Sequence, residues 1–211
     1  MKDAYPDLDP EQWAFFAAIE ALGGVAHINI LDALAPLTAR QLLDLTRKTA
    51  DAGLLQQDGN DVFSLGTSLP SAFAEKLRRL NSKKHLSALV DAIHERKVDR
   101  DLDQDIFISL LERAGRFVEA STLEFERVDK DLEGKRNFES IHESLMRAVG
   151  RLKNVNLDPD TSALYISRSL KLSNLCFVLG RGITELEEIL DRALSLAAGA
   201  GDKRSQALIS L

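Results

Sequence analysis

Cysteine, aromatic residues, proline and long apolar runs are all scarce in this chain, and each scarcity excludes something. One cysteine, Cys176, stands among 211 residues. It can form no internal disulfide, which fits a reducing compartment. Its neighbours run Leu175-Cys176-Phe177-Val178-Leu179, with no basic or metal-ligating residue within one helical turn. That context reads as a buried small hydrophobe rather than a nucleophile. Aromatics make up 6% and there are five prolines, which argues against a sandwich or barrel and for helices. No apolar run approaches the roughly 20 residues that span a bilayer. The N-terminus lacks the basic-then-apolar pattern of a signal peptide. The expectation is a cytoplasmic protein with no membrane partner.

The usual marks of chemistry are also missing. A nucleotide site needs backbone N–H groups of a glycine loop converging on phosphates. Glu133-Gly134-Lys135-Arg136 has the Gly-Lys pair without the earlier glycine or a following Ser or Thr. Gly180-Arg181-Gly182 lacks a third glycine and a preceding strand, so it is no dinucleotide motif. The four histidines, His27, His85, His94 and His142, show no i, i+4 pair, and His142-Glu143 lacks the second histidine of a zinc-protease helix. No serine occupies a G-x-S-x-G turn. These patterns lead to the expectation of no catalytic residue, no metal ligand and no cofactor, hence no enzyme.

What is present is helix. Asp9-Pro10 opens a first helix that Gly23-Gly24 stops. Asn29 is expected to cap a short second helix ending at Pro36, and Thr38 a third from Ala39 to Ala52. Leu54 to Gln57 and Val62 to Leu65 flank the turn Asp58-Gly59-Asn60-Asp61, as in a β-hairpin. Residues 71 to 98 are helical with an interruption at Asn81-Ser82, and Asp99 to Asp103 is a charged corner. A helical pattern runs into Ala114-Gly115 and another starts at once with Arg116-Phe117, the pattern of two helices joined by a tight turn. Phe138, Ile141, Leu145, Ala148, Val149 and Leu152 fall at helical spacing. A long helix starts at Asp160 or Thr161, its partner runs from Ile183 to Ala198, and Asp202 caps a last one.

Three helices followed by a hairpin, over about residues 9 to 67, resemble a winged helix. After Gly115, Phe117, Glu119 and Ala120 match the second-helix opening of a tetratricopeptide repeat. Arg181 stands 66 residues on, close to twice that family's 34-residue period, and Ala193-Leu194-x-Leu196 resembles its closing pattern. The family's tryptophan and most of its glycines are absent, and the helix at 137–153 is not a recognisable repeat. Leu77-Arg78-Arg79-Leu80 and the order of modules resemble the region after the nucleotide-binding module of STAND-type bacterial signal-transduction ATPases. That resemblance covers about residues 10 to 211 and implies a middle segment of a larger transcriptional or signalling regulator, its ATP site elsewhere. The expected class is mainly α: a winged-helix module at 1–67, a helical linker at 68–102, and tetratricopeptide-like hairpins of solenoid type at 103–211, cut short of a full array.

The function expected of such a chain is non-catalytic: protein–protein interaction and signal relay, with a protein or other domains of the parent chain as partner. Leu208, Ile209 and Leu211 form an apolar helical face at the C-terminus, an expected interaction or self-association surface. The alternative is a DNA-binding regulator. Its contacts would come from Arg40, Arg47 and Lys48 on the third helix and from Lys76, Arg78, Arg79, Lys83 and Lys84, a basic run with no acid inside it. Against it stand the net charge of −6 and the acidic wing tip, which phosphates would repel.

Overall fold

A computed structural model describes residues 6–59, 61–134, 137–181 and 184–210. The chain is mainly helical, with eleven α-helices and one three-stranded sheet among the described residues. It divides into two compact units between Arg116 and Phe117. No described helix is long and apolar enough to cross a membrane.

The first unit opens with α1 (Pro10–Ala21), whose start is a reciprocal cap: Asp9 accepts the Gln12 N–H at 2.8 Å, and the Gln12 amide oxygen accepts the Asp9 N–H at 3.2 Å. Both orphan donors are thereby satisfied. There follow β1 (Val25–His27), α2 (Ile28–Leu34), α3 (Ala39–Ala50), β2 (Leu55–Asp58) and β3 (Val62–Leu65). Thr38 and Gln41 repeat the reciprocal cap on α3. The sheet is antiparallel in the order β1-β3-β2, with Ala26 opposite Phe63 and Leu55 opposite Leu65. Strand β1 adds a third member to the expected hairpin. Its formation moves the start of α2 forward, so that the cap is His27, whose Nδ1 accepts the Asn29 N–H at 3.3 Å.

The same unit continues through α4 (Ser71–Leu80), α5 (Lys83–Arg96), a 3-10 turn at Asp99–Asp101 and α6 (Gln104–Ala114). Asn81-Ser82 breaks α4 from α5, where the sequence marks an interruption. Aromatic rings fill the core: Trp13 lies 4.8 Å from Phe73, Phe16 meets Phe73 edge-on at 5.0 Å, and Phe15 meets Phe63 edge-on at 5.6 Å. Polar side chains from distant helices add hydrogen bonds to carbonyls near helix ends. Arg113 of α6 donates to the Glu20 and Ala21 carbonyls at the end of α1 (3.4 and 3.3 Å) and pairs with the Glu20 carboxylate at 2.7 Å. Asn81 donates to the Ala17 carbonyl at 2.9 Å, and Arg96 to the Ala33 carbonyl in α2.

The second unit holds α7 (Phe117–Glu133), α8 (Phe138–Leu152), α9 (Pro159–Val178), α10 (Glu187–Gly199) and α11 (Lys203–Ile209). Helix α9 begins one or two residues earlier than the sequence suggests. Proline is tolerated at the first helical position, and Asp158, accepting the Thr161 N–H at 2.8 Å, is the cap. The core joins Phe125 and Val128 of α7, Ile141, Leu145 and Val149 of α8, Tyr165 and Leu172 of α9, and Ile189, Ala193 and Ala197 of α10. One carboxylate, Glu124, is buried beside it and is met by Arg127 and Arg147 (both 3.0 Å) and by Arg151. Arg192 donates to the Lys153 and Val155 carbonyls after α8 and lies over the Tyr165 ring at 5.5 Å. The Gly115 turn, expected to join a hairpin, lies one residue from the division between the units. Within its own unit α6 packs on α5, and α7 packs on α8.

Candidate functional site

A groove of about 920 Å³ runs through the second unit between α9, the end of α10, and α11. Its long wall is one face of α9. Ser162, Ile166, Leu170 and Asn174 repeat every four residues, with Ser167 and Lys171 alongside, the spacing that places side chains above one another on a helix. Leu196 of α10 and Leu208 of α11 face it. The floor is apolar and the rim carries serines, an asparagine and three charged groups, Lys171, Asp202 and Arg204. Apolar troughs with a few polar groups on the rim are the usual form of ligand sites.

The charged groups at the rim are held by their neighbours. Lys171 reaches Asp129 of α7 at 2.9 Å, and Arg168 grips both oxygens of that carboxylate at 2.5 Å. The Arg168 hydrogen bonds, with help from Lys171, hold the Asp129 carboxyl down to about 2. Asp202 caps α11, accepting the Ser205 N–H at 3.1 Å. Hydrogen bonds from the Ser205 hydroxyl and N–H keep that carboxyl below its ordinary range. Helix α11 buries no residue fully. It is tied down by its cap, by the Gln206 amide donating to the Ala197 carbonyl at 3.3 Å, and by Ile209, packed against the core.

Of the expected apolar face, Leu208 is half exposed and lines this groove, whereas Ile209 turns to the core. The two serve different ends because adjacent helical positions are 100° apart. Leu211 lies outside the described residues.

The expected nucleic-acid contacts all fall on the first unit, on α3, α4 and the start of α5. Arg40, Arg47 and Lys48 are exposed on α3, but they share its outer stripe with Leu43, 53% exposed, and Asp44. Lys48 is spent on Asp44 at 2.8 Å. The basic run is divided by the break between α4 and α5. Lys76 sits over the Trp13 ring, 3.9 Å from its centre. Arg79 pairs with Glu75 at 2.5 Å, an acid just outside the run. Arg78 is exposed on α4, while Lys83 and Lys84 begin α5 and are exposed.

Sequence reasoning missed one polar constellation. His142 of α8 places Nε2 3.2 Å from the Cys176 Sγ, and both residues are buried. A guanidinium only donates. Arg181, 3.1 Å from Nδ1, therefore makes that nitrogen the acceptor and leaves the ring proton on Nε2, facing sulfur. Arg181 also meets Glu139. In this tautomer the imidazole donates to sulfur and is not placed to take the thiol proton. The pair is 34 residues apart in sequence, so no local spacing pointed to it. Among the described residues no three His, Cys, Asp or Glu side chains are grouped to hold a metal ion.

No protein-family model, curated protein or solved structure matches the chain.

Proposed function

We propose that the chain is a non-catalytic regulatory segment that engages a protein partner, or another part of a longer parent chain, through the α9–α10–α11 groove. The observation that carries this reading is the groove itself: an apolar floor about 920 Å³ in volume, rimmed by short polar side chains. The Cys176–His142 contact is buried away from solvent.

The finer reading is a winged-helix module followed by helical repeats, as in STAND-type bacterial regulators. It is supported by the order α1-β1-α2-α3-β2-β3 with the sheet order β1-β3-β2, in which a hairpin and one short strand pack against three helices. The outer stripe of α3, with Leu43 and Asp44 between its cations, suits a protein contact better than a phosphate backbone. Asp58 and Asp61 in the wing turn point the same way.

The test is a photo-crosslinking amino acid at Ser167 in cells carrying the full protein, compared with the same probe at Glu75 on α4. The expected result is a discrete adduct at Ser167 alone. Equal labelling from both positions, or none, overturns the reading. Duplex DNA titrated at low salt separates the alternative: a DNA-binding regulator shows affinity falling steeply with salt, and that result would replace the proposal.

A further inference from the structure

We propose that the groove takes one acidic, amphipathic α-helix of a partner protein. The inference rests on the protein-binding reading above and names its ligand. Three observations carry it. First, the groove is walled by helices, and no strand edge borders it among the described residues. An extended peptide would find no ladder to join and would lay down its own N–H and C=O groups unpaired, whereas a helix satisfies its backbone internally.

Second, the size fits. The lined stretch of α9 runs from Pro159 to Asn174, about 22 Å at the helical rise. A volume of about 920 Å³ over that length gives a section of roughly 40 Å², about half that of a helix with its side chains. The groove thus accepts a helix of about four turns sunk to half its depth, its apolar stripe on Ile166, Leu170, Leu196 and Leu208.

Third, the charge of the rim is opposite to that of the chain. Two cations, Lys171 and Arg204, line it against one acid, Asp202, which caps α11. Lys171 shares the Asp129 carboxylate with Arg168, so two cations stand there against one acid. The whole chain carries −6. A partner helix with carboxylates flanking its apolar stripe meets cations, and one flanked by lysines meets them unfavourably. Helix α11 responds to such a ligand. With seven residues and none fully buried, it is shorter than helices that persist unaided, and a bound helix would cover Leu208.

The experiment uses the full protein and three labelled 15-residue peptides with the same leucine stripe. One is flanked by glutamates, one by lysines, and one is the glutamate peptide with its leucines scrambled. The glutamate peptide binds at least tenfold tighter than either of the others at low salt, and its advantage over the lysine peptide shrinks as salt rises. Binding slows hydrogen exchange at residues 203–209. Ser195→Trp, an exposed groove position, weakens it tenfold or more, and Arg204→Glu narrows the glutamate preference, with circular dichroism checking that both variants fold. Equal or tighter binding of the lysine peptide, no binding of any peptide, or indifference to Ser195→Trp overturns the proposal. If the Ser167 crosslink forms while the peptides fail, the occupant is wrong and the groove reading stands. If both fail, the groove reading falls too.

Discussion

The buried carboxylate of Glu124 separates two kinds of ion pair within one cluster. Its side chain is 1% exposed, while Arg147 is 53% exposed and Arg151 12%. Removing the acid takes the buried carboxylate from a guanidinium that is itself only 12% exposed, so Glu124→Gln should cost about 3 kcal/mol in urea unfolding. Removing Arg147 leaves the acid with two partners and costs at most about 1 kcal/mol. Equal losses would contradict this division. Asp129 gives a pH dependence of known sign. Its carboxyl is held near 2 by Arg168 and Lys171, below its unfolded value. Its contribution is therefore complete above about pH 4 and disappears as pH falls through about 2. The side chain is 39% exposed, so screening leaves it a modest term. Stability measured from pH 5 to 2 should fall more in the native protein than in Asp129→Asn.

At the level of elements, two glycines answer differently to a methyl group. A Cβ on Gly66, just after β3, would stand 1.7 Å from the Gly53 carbonyl oxygen, where backbone must move. A Cβ on Gly115 would stand 2.1 Å from the Lys83 Cε, the end of a flexible side chain, at a φ of +77°. Gly66→Ala should cost about 3 kcal/mol or more and Gly115→Ala about 1 kcal/mol. Thermal melts of the two variants compare them, and the reverse order would refute the packing argument. Elements set by local chemistry were legible in the sequence: the Asp9 and Thr38 caps, the hairpin around Asp58 and Gly59, the break at Asn81-Ser82, the Asp202 cap. Strand β1 was not, because three residues, Val25 to His27, carry no period and find their partner near Phe63. The same holds for the groove. Leu208 was legible as an apolar face without a partner, but the α9 stripe opposite it reads in sequence as ordinary helical periodicity. The Cys176–His142 contact joins two helices whose spacing nothing local records.

For the molecule as a whole, the division between Arg116 and Phe117 yields two pieces of ordinary domain size. Residues 1–116 and 117–211, expressed separately, should each unfold cooperatively. A fragment lacking a sigmoidal melt would mean that its core depends on the other. Within each unit, side chains from distant helices add to helix ends that local backbone bonds already close. The Leu22, Gly23 and Gly24 N–H groups donate to the Ala18, Glu20 and Ile19 carbonyls at the end of α1. Arg113 and Asn81 add bonds to α1 from 64 to 93 residues away, Arg96 adds one to α2 from 63 away, and Arg192 adds two just after α8 from 37 to 39 away. A helix cut out as a peptide therefore keeps its own closing turn and loses what the rest of its unit brings to that end.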